Sequence, residues 1–513
     1  MRAQSNENRE SFLEDYLALM ADLNSQQNSL LWWATDISSK NRFNTPIPGL
    51  LQNQLNGVTA KREFFGLKAA LEYILRWVGH LLMTMYRVIL IKVILGKHIK
   101  SHLKKTEIDY VVKSFVYPRS FAREGKYQDV YFGALPDHLK AKGSVLILVD
   151  IPTAFHYSLK KLREVRDVSV VPWEYFLSVF DVVNYTFRGV FYKPRSVNHL
   201  VLGQTNVTDS LKHLWRYGMA KIQPYQLFHY PAFVRLCREI KVKRFISTGE
   251  SNPWEKMCIL AIRRFSPLTR IISYQHNVVP QASANMFVHA RENGITPLPD
   301  KIITTGGEPK RILEIYSKYR PGMLETGCAL CVELGGKDFA LRNRIKNVLV
   351  ALEGVDAAHA MAKYAIDQLK EMINYNVVFR THPVLPWSYF QNKYGHNLAP
   401  YKHFRLSKGD PLTKDIMSAD VVLYWGSTVG VESLSFGRPV VHFDNRSLLS
   451  FDPLFRCSYL KWTATVEIRL KDIFESIDAL SENDFHTARA QAVDYLKEYF
   501  YPVSKECLEK FAR

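Results

Sequence analysis

The stretch Val421–Val441, VVLYWGSTVGVESLSFGRPVV, gives the clearest fold signal in the chain. An apolar run leads through Gly426-Ser427-Thr428 into a helical segment, and Gly437-Arg438-Pro439 separates that segment from a second apolar run. This order predicts a strand, a helix and a parallel strand, as in α/β proteins. A hydroxyl at the helix start caps free N–H groups, and the helix dipole attracts anions. The stretch therefore predicts a phosphate site at the carboxyl end of a sheet.

Polar residues after two other predicted strands extend this candidate site. The segment RTHP follows the strand VVFR, and Pro383 restricts the backbone of His382, so the imidazole is held in place to donate to a phosphate or leaving group. The loop SKGD follows the strand FRL. The alternative to a binding role is a solvated turn for the SKGD loop and an ordinary capped helix for the Gly426–Thr428 turn. The donor-binding candidates are Arg380, His382, Pro383, Ser407, Lys408, Gly426, Ser427, Thr428 and Glu432.

The whole chain has 513 residues, which is too long for one ordinary core and predicts two domains. We expect an α/β fold of two Rossmann-like domains facing a cleft, 1–335 and 336–513, which is the GT-B arrangement. The segment Glu333–Arg344 predicts a linker, and a last helix over Asp484–Phe511 is expected to return to the first domain. The predicted strands are Leu30–Thr35, Tyr110–Val116, Val145–Val149, Arg244–Ser247, Arg270–Tyr274, Lys301–Thr305, Asn347–Leu352, Val377–Arg380, Phe404–Leu406, Val421–Tyr424 and Val440–Phe443.

A helical insertion is predicted over 62–105, between the first two strands. Its apolar core, Leu81–Leu95, contains Arg87 and Lys92, and such charges are costly at the centre of a bilayer. The sequence therefore predicts an amphipathic helix that does not span a membrane. The helix either lies in a membrane interface, aided by the basic cluster Lys97–Lys105, or packs in the core of its own domain.

The formal net charge of +19 indicates an anionic partner: nucleic acid, an anionic membrane or a phosphorylated substrate. Helix-turn-helix, RNA-recognition and zinc signatures are missing from the sequence, which argues against nucleic acid, although a basic nucleic-acid-binding protein stays an alternative. Sparse cysteines and an N-terminus without an apolar signal region favour a cytoplasmic protein with peripheral contact to the inner face of the plasma membrane.

The trio of RTHP, the SKGD loop and GSTVGVESLSFGRPV resembles the nucleotide-binding half of bacterial capsule and O-antigen glycosyltransferases. It is similar to the His-Pro and Ser-Thr motifs of CMP-sugar transferases, which include sialyltransferases and Kdo transferases. The resemblance implies contacts to the CMP phosphate and cytidine for His382, Pro383, Ser427 and Thr428. CDP-glycerol glycerophosphotransferases and UDP-GlcNAc 2-epimerases have a related half, so the donor base stays open.

Three segments of the first half, GKYQDVYFGALPDHLKAKG (125–143), STGESNPWEKMCILAIRRF (247–265) and ISYQHNVVP (272–280), resemble a family of surface carbohydrate biosynthesis proteins. An inverting sugar transfer needs a base for the acceptor hydroxyl. Glu250 after the strand RFIST is the first candidate, His276 the second and Asp150 the third. A helix-capping role is the alternative for such a carboxylate. The acidic motif of the transferases has its nearest match in Leu352-Glu353-Gly354, to which no catalytic role is assigned.

The resemblance implies a glycosyltransferase that moves a nonulosonic acid or Kdo from a CMP donor onto a glycan or lipid-linked glycan. A non-hydrolysing sugar-nucleotide epimerase is the alternative enzyme. No metal cofactor is expected, because the sequence has no Asp-x-Asp pair in a suitable context and helix N-termini with basic side chains can stabilise a leaving phosphate.

Overall fold

The computed structural model describes residues 2–41, 47, 49, 51, 67–103, 106–121, 125–216, 222–332, 334–335, 339 and 341–513. The chain divides into two compact units. The first unit comprises Met1–Asn277, Ser283–Cys331 and Tyr501–Arg513, and the second comprises Val278–Ala282 and Val332–Phe500.

The first unit contains a parallel sheet with the strand order β3-β2-β1-β6-β7-β8-β9, and β4 and β5 form a separate antiparallel pair. The chain reverses its direction of winding between β1 and β6, which makes this place a topological switch point. The strands are β1 (Glu107–Phe115), β2 (Val145–Asp150), β3 (Ser169–Pro172), β4 (Val201–Leu202), β5 (Thr205–Asn206), β6 (Lys241–Thr248), β7 (Arg270–Tyr274), β8 (Lys301–Thr304) and β9 (Leu324–Thr326).

Helices flank these strands in sequence, as expected for right-handed crossovers between parallel strands. The core is formed by the apolar runs of the strands, so that every residue of β2 is buried. The helices of this part of the chain are α1 (Arg2–Gln27), α2 (Leu30–Trp33), α3 (Leu67–His102), α4 (Leu135–Lys140), α5 (Phe155–Glu164), α6 (Val179–Val190), α7 (Thr208–Arg216), α8 (Pro224–Glu239), α9 (Pro253–Phe265) and α10 (Gly307–Tyr316).

The second unit contains a parallel sheet with the order β12-β11-β10-β13-β14-β15, which is the strand order of the Rossmann fold. Its switch point lies between β10 and β13. The strands are β10 (Asn347–Ala351), β11 (Asn376–Arg380), β12 (Phe404–Leu406), β13 (Val421–Tyr424), β14 (Val440–Phe443) and β15 (Lys461–Ala464). The helices are α11 (Ala358–Leu369), α12 (Trp387–Tyr394), α13 (Leu412–Ser418), α14 (Thr428–Ser435), α15 (Leu470–Asp478) and α16 (Glu482–Tyr499).

The predicted α/β class with two Rossmann-like parallel sheets is confirmed, and ten of the predicted strands coincide with strands of these sheets. The prediction of a strand over Leu30–Thr35 is wrong. Ser29 caps a short helix there by accepting a hydrogen bond from Trp32 N, and the side chains of Trp32 and Trp33 are buried. The apolar run therefore belongs to a helical turn that inserts two indoles into the core.

The predicted helical segment is present as the long helix α3, while residues 62–66 and 104–105 of the predicted range lie outside the described residues. Its predicted place between two strands is wrong: α3 precedes β1, because the predicted strand Leu30–Thr35 is not one. The stretch Leu71–Ser101 is long and apolar enough to cross a membrane by length and composition, and 22% of its most apolar window is buried. Of the predicted linker, residues 333, 336–338 and 340 also lie outside the described part of the chain. The last predicted helix is interrupted after α16, and α17 (Lys505–Glu509) belongs to the first unit.

Candidate functional site

The turn after β10 joins the two predicted donor-binding motifs of the second unit. Gly426 N donates a hydrogen bond to the carboxylate of Glu353. Gly354 leaves room for the ring of His382, because a Cβ atom at this glycine would lie 2.5 Å from His382 Nδ1. The turns after β10, β11 and β13 are therefore in contact at the carboxyl edge of the sheet, on both sides of its switch point.

The imidazole of His382 has a defined proton position. Val384 N donates to Nδ1 at 3.2 Å, so the proton of the neutral ring lies on Nε2, which can donate to a ligand. Burial against the turn lowers the pKa of His382 below its usual 6.5, so the ring is neutral at pH 7. Pro383 follows on the exposed surface. The site thus offers a neutral donor rather than a cation.

Helix α14 begins at the predicted hydroxyl cap. Ser427 Oγ accepts a hydrogen bond from Val429 N at 3.1 Å, and Thr428 Oγ1 donates to Glu432 at 3.2 Å. The helix packs tightly on its strand because a Cβ atom at Gly430 would lie 2.6 Å from the ring of Tyr424. The hydroxyl-rich first turn is thereby fixed at the end of β13.

Glu353 occupies part of the anion site that the sequence predicts at this turn. Its carboxylate accepts hydrogen bonds from the backbone N–H groups of Trp425, Gly426 and Ser427. Burial raises the pKa of Glu353 to about 7, although these three N–H groups act in the opposite direction. The first-turn N–H groups of Thr428 and Gly430 are bonded neither by this carboxylate nor by the Ser427 hydroxyl. A phosphate therefore has a smaller set of N–H donors here than the sequence suggests.

The remaining predicted donor residues, Arg380, Ser407 and Lys408, form a neighbouring group. Arg380 forms an ion pair with Asp415 at 2.5 Å, and Ser407 Oγ donates to the same carboxylate at 2.6 Å. A cavity of 290 Å³ is lined by Ser407, Lys408 and the start of β10, whereas neither His382 nor any residue of the Gly426–Thr428 turn lines it. The charge of Arg380 is therefore largely balanced within the protein, and the exposed Lys408 is the freer cation of the group.

In the first unit, Glu250 and His276 lie together after β6 and β7, with His276 Nε2 3.5 Å from Glu250 Oε1. Two side-chain amides orient the carboxylate: Asn252 donates to Oε2 at 2.7 Å, and Asn277 donates to Oε1. Burial lowers the pKa of His276, and the charge of Glu250 opposes this change. The sequence did not indicate the two asparagines, which hold the Glu250 carboxylate next to His276.

The motif GKYQDVYFG supplies a third group to this pair. Asp129 accepts hydrogen bonds from the backbone N–H groups of Tyr131 and Phe132, both at 2.9 Å, and this fixes the turn. The ring of Tyr131 then contacts the edge of His276 with ring centroids 5.0 Å apart. The motif GKYQDVYFG indicated a family resemblance, but the sequence did not predict that Asp129 fixes the turn or that Tyr131 contacts His276.

The segment ESNPWE holds Glu250 through a capping box. Glu255 accepts from Asn252 N at 2.7 Å and from Glu250 N at 3.2 Å, at the start of α9. Burial, with the charge of Glu250 as a second cause, raises the pKa of Glu255 to about 8. Glu255 therefore supports the loop, and Glu250 is the more accessible of the two carboxylates.

Asp150, the third candidate base, lies apart from this pair in a buried network. Its carboxylate accepts hydrogen bonds from Lys113, Tyr225 and Trp173 Nε1. Burial acts to raise the pKa of Asp150, but the Lys113 charge lowers it on balance. Because protein donors occupy this buried carboxylate, the structure favours a role in holding the sheet edge over a role as the base.

No protein-family model matches the sequence. No curated protein matches it either. Solved structures do match. MurG of Acinetobacter baumannii has 11% identity, covers 79% of this chain and 98% of its own, and gives a TM-score of 0.42. TarM has 11% identity, covers 80% of this chain and 98% of its own, and gives a TM-score of 0.43. The UDP-GlcNAc 2-epimerase of Neisseria meningitidis bound to UDP-GlcNAc has 10% identity, covers 76% of this chain and 99% of its own, and gives a TM-score of 0.41.

Replacing Gly354 by alanine is expected to displace the ring of His382, because the added Cβ would overlap Nδ1. The ring then loses its contact with the turn that desolvates it, and its pKa rises towards 6.5. Titration of labelled histidines by nuclear magnetic resonance measures this change. Gly79→Ala is the control, since a Cβ there meets nothing within 4 Å. An unchanged His382 titration in Gly354→Ala would contradict the proposed contact.

Glu353→Gln is expected to change the pH dependence of stability. The folded protein binds a proton at Glu353 more strongly than the unfolded chain does, because the pKa rises from 4.5 to about 7. The free energy of unfolding of the wild type therefore falls by about 3 kcal/mol as the pH rises from 4.5 to 7. The variant does not show this decrease. Urea unfolding across this window measures the difference, with the exposed Glu371→Gln as control. A pH-independent difference between Glu353→Gln and wild type would refute the assignment.

Proposed function

We propose that the chain is a glycosyltransferase that moves a sugar, a nonulosonic acid or Kdo, from a CMP donor onto a surface-glycan acceptor. The observation that carries the proposal is the contact of the His382 turn and the Ser427-capped helix with the Glu353-Gly354 turn at the switch point of a Rossmann sheet. This is the place where such sheets bind nucleotides.

The second unit is proposed to hold the donor. The single phosphate of a CMP-sugar needs few donors, and His382 Nε2 with the first turn of α14 supplies them. A neutral imidazole donates a hydrogen bond without requiring a charge to be desolvated. Thr428 and Glu432 are proposed to contact hydroxyl groups of the ribose or sugar, and Lys408 the phosphate or base.

The first unit is proposed to supply the base. Glu250 takes the proton of the acceptor hydroxyl, with His276 as the second candidate for that role. The acceptor oxygen then forms a bond to the anomeric carbon while the bond from that carbon to the phosphate oxygen breaks. CMP leaves with the electron pair, and the hydrogen-bond donors of the second unit stabilise its negative charge. The reaction is proposed to need no metal ion.

The acceptor is proposed to be a glycan, free or lipid-linked, at the cytoplasmic face of the plasma membrane. The net charge of +19 supports an anionic substrate or surface. A nucleic-acid partner is not proposed, since Arg380 and Lys408 lie with the residues proposed to bind the donor.

Ligand-dependent unfolding tests the donor assignment. We expect CMP to raise the midpoint of thermal unfolding, with a stabilisation of about 2.7 kcal/mol at a concentration about a hundredfold above Kd. His382→Ala removes the Nε2 donor and should lose most of this effect. His486→Ala is the matched control, because His486 is an exposed histidine of α16 in the same unit.

CDP, UDP and GDP are measured in the same experiment. Stabilisation by UDP without CMP would overturn the CMP-donor proposal. Turnover of a UDP-sugar in the absence of any acceptor would favour the epimerase instead. Salt-dependent DNA binding without a nucleotide effect would support the nucleic-acid alternative.

Glu250→Gln tests the base. The amide keeps the shape of the side chain but cannot take a proton, so kcat of sugar transfer should fall by about 10²–10⁴-fold. The affinity for CMP should stay unchanged, because the donor contacts are assigned to the second unit. The control is Glu314→Gln, a surface glutamate of α10 that pairs with Lys310. A Glu250→Gln enzyme with normal kcat would transfer the role to His276 or remove it from this pair.

A further inference from the structure

One face of helix α3 is apolar and exposed over most of its length. The stripe Leu71, Leu75, Val78, Leu82, Ile89 and Val93 repeats at helical spacing, and all of these side chains are exposed. At about 1.5 Å per residue the stripe is about 33 Å long. A continuous apolar surface of this length is unusual on a monomer and indicates a docking surface.

The opposite face of α3 packs on the rest of the first unit, and two of the basic side chains of the helix form hydrogen bonds there. Trp77, Val88 and Ile91 are buried there. Arg87 Nε donates to Glu174 at 2.9 Å, and Lys92 Nζ donates to Leu177 O. A water-exposed helix normally has its apolar stripe inward and its charges outward. α3 instead has an apolar outer face in addition to its apolar buried face, which suits an apolar surrounding on its outer side.

Helix α6 packs against α3 and carries exposed aromatic side chains of its own. A Cβ atom at Gly189 would lie 2.1 Å from the indole of Trp77, so the two helices are in direct contact at this glycine. Three phenylalanines of this part of the chain project into solvent: Phe180 is 75% exposed, Phe187 61% and Phe191 73%. Exposed aromatic rings beside an aliphatic stripe are the side chains that insert at the boundary of headgroups and acyl chains.

A basic cavity lies at the carboxyl end of α3. It has a volume of 360 Å³ and is lined by Lys92, Lys97, Lys100, Arg235 and Glu239, with Gly96 and Tyr175. Burial and the neighbouring charge of Arg235 lower the pKa of Lys92. Asp181 pairs with Arg235 at 2.9 Å, but three lysines against Glu239 still leave the cavity positive, so its charge is complementary to an anionic phosphate group.

We propose that the α3–α6 face docks onto the surface of an anionic phospholipid bilayer, with α3 parallel to the membrane plane and the basic cavity receiving a lipid phosphate. The apolar stripe and the phenylalanines enter the acyl boundary, while Arg87 and Lys92 keep their contacts in the first unit. Those contacts and the buried face show why α3 lies on the bilayer rather than crosses it. Positive charge at the end of an apolar stripe selects anionic lipid over a second protein copy.

Flotation of the full-length protein with vesicles tests this docking. We expect wild-type protein to float with vesicles of phosphatidylcholine and phosphatidylglycerol, and at least tenfold less with phosphatidylcholine alone. Leu82→Asn with Val93→Asn should lower binding to the anionic vesicles by at least tenfold, because two inserted side chains become polar. Lys97→Ala with Lys100→Ala should remove the preference for anionic lipid. Leu268→Asn is the control, since Leu268 is 93% exposed outside the α3–α6 face.

Several results would overturn the docking proposal. Wild type that floats with neither vesicle, or binding that the α3 variants leave unchanged, would do so. A wild-type dimer that the Leu82→Asn, Val93→Asn variant converts to monomer, with no vesicle binding, would show that a second copy covers the face. Unchanged thermal unfolding verifies that each variant is folded. The test uses no nucleotide, so it can fail while the donor-binding experiment succeeds, and the reverse.

Discussion

The candidate donor site depends on the contact that the turn after β10 makes with its two neighbours. The carboxyl group of Glu353 accepts Gly426 N–H, and the missing side chain of Gly354 admits the His382 ring. Because β10 lies between β11 and β13, one short turn sets the positions of both motifs. Because the pKa of the Glu353 carboxyl group is about 7, the group can be neutral, which lowers the cost of burying it in this turn.

The sequence predicts those parts of the fold and site that depend on local patterns. Runs rich in Val and Ile, such as VVLY and RIISY, predict strands correctly because they have no competing helical interpretation. The run LLWWAT is equally apolar but too short to show a period, and the cap by Ser29 makes it helical. The strands β3 and β15, which have four residues each, are not among the predicted strands.

The sequence predicts less well what depends on the order of strands in a sheet. His382 and Ser427 could be identified as site candidates from the sequence because each follows an apolar strand. Glu250 and His276 could be identified for the same reason. The role of Glu353 depends on which strand lies between two others, and the separation of Asp150 from Glu250 depends on the position of β1. Neither fact is local. For α3 the difficulty differs: both of its faces are apolar, so only the packing shows which one is exposed.

In the first unit, helix α3 and the segment that carries the candidate base contact one buried polar network. Arg87 of α3 donates a hydrogen bond to Glu174. Burial acts to lower the pKa of Arg87, but the charges of Glu174 and Asp150 contribute to raising it on balance. Asp150 in turn binds Lys113, whose ammonium lies 4.8 Å from the ring of Trp254 in the ESNPWE segment. Removing one member of such a network leaves a buried charge unpaired, which costs several kcal/mol, about 3–5 for a broken pair. The network therefore gives α3 and the Glu250 loop a common support in the first unit. A surface that rests on lipid can in this way stay in fixed register with the residues that would receive a lipid-linked acceptor.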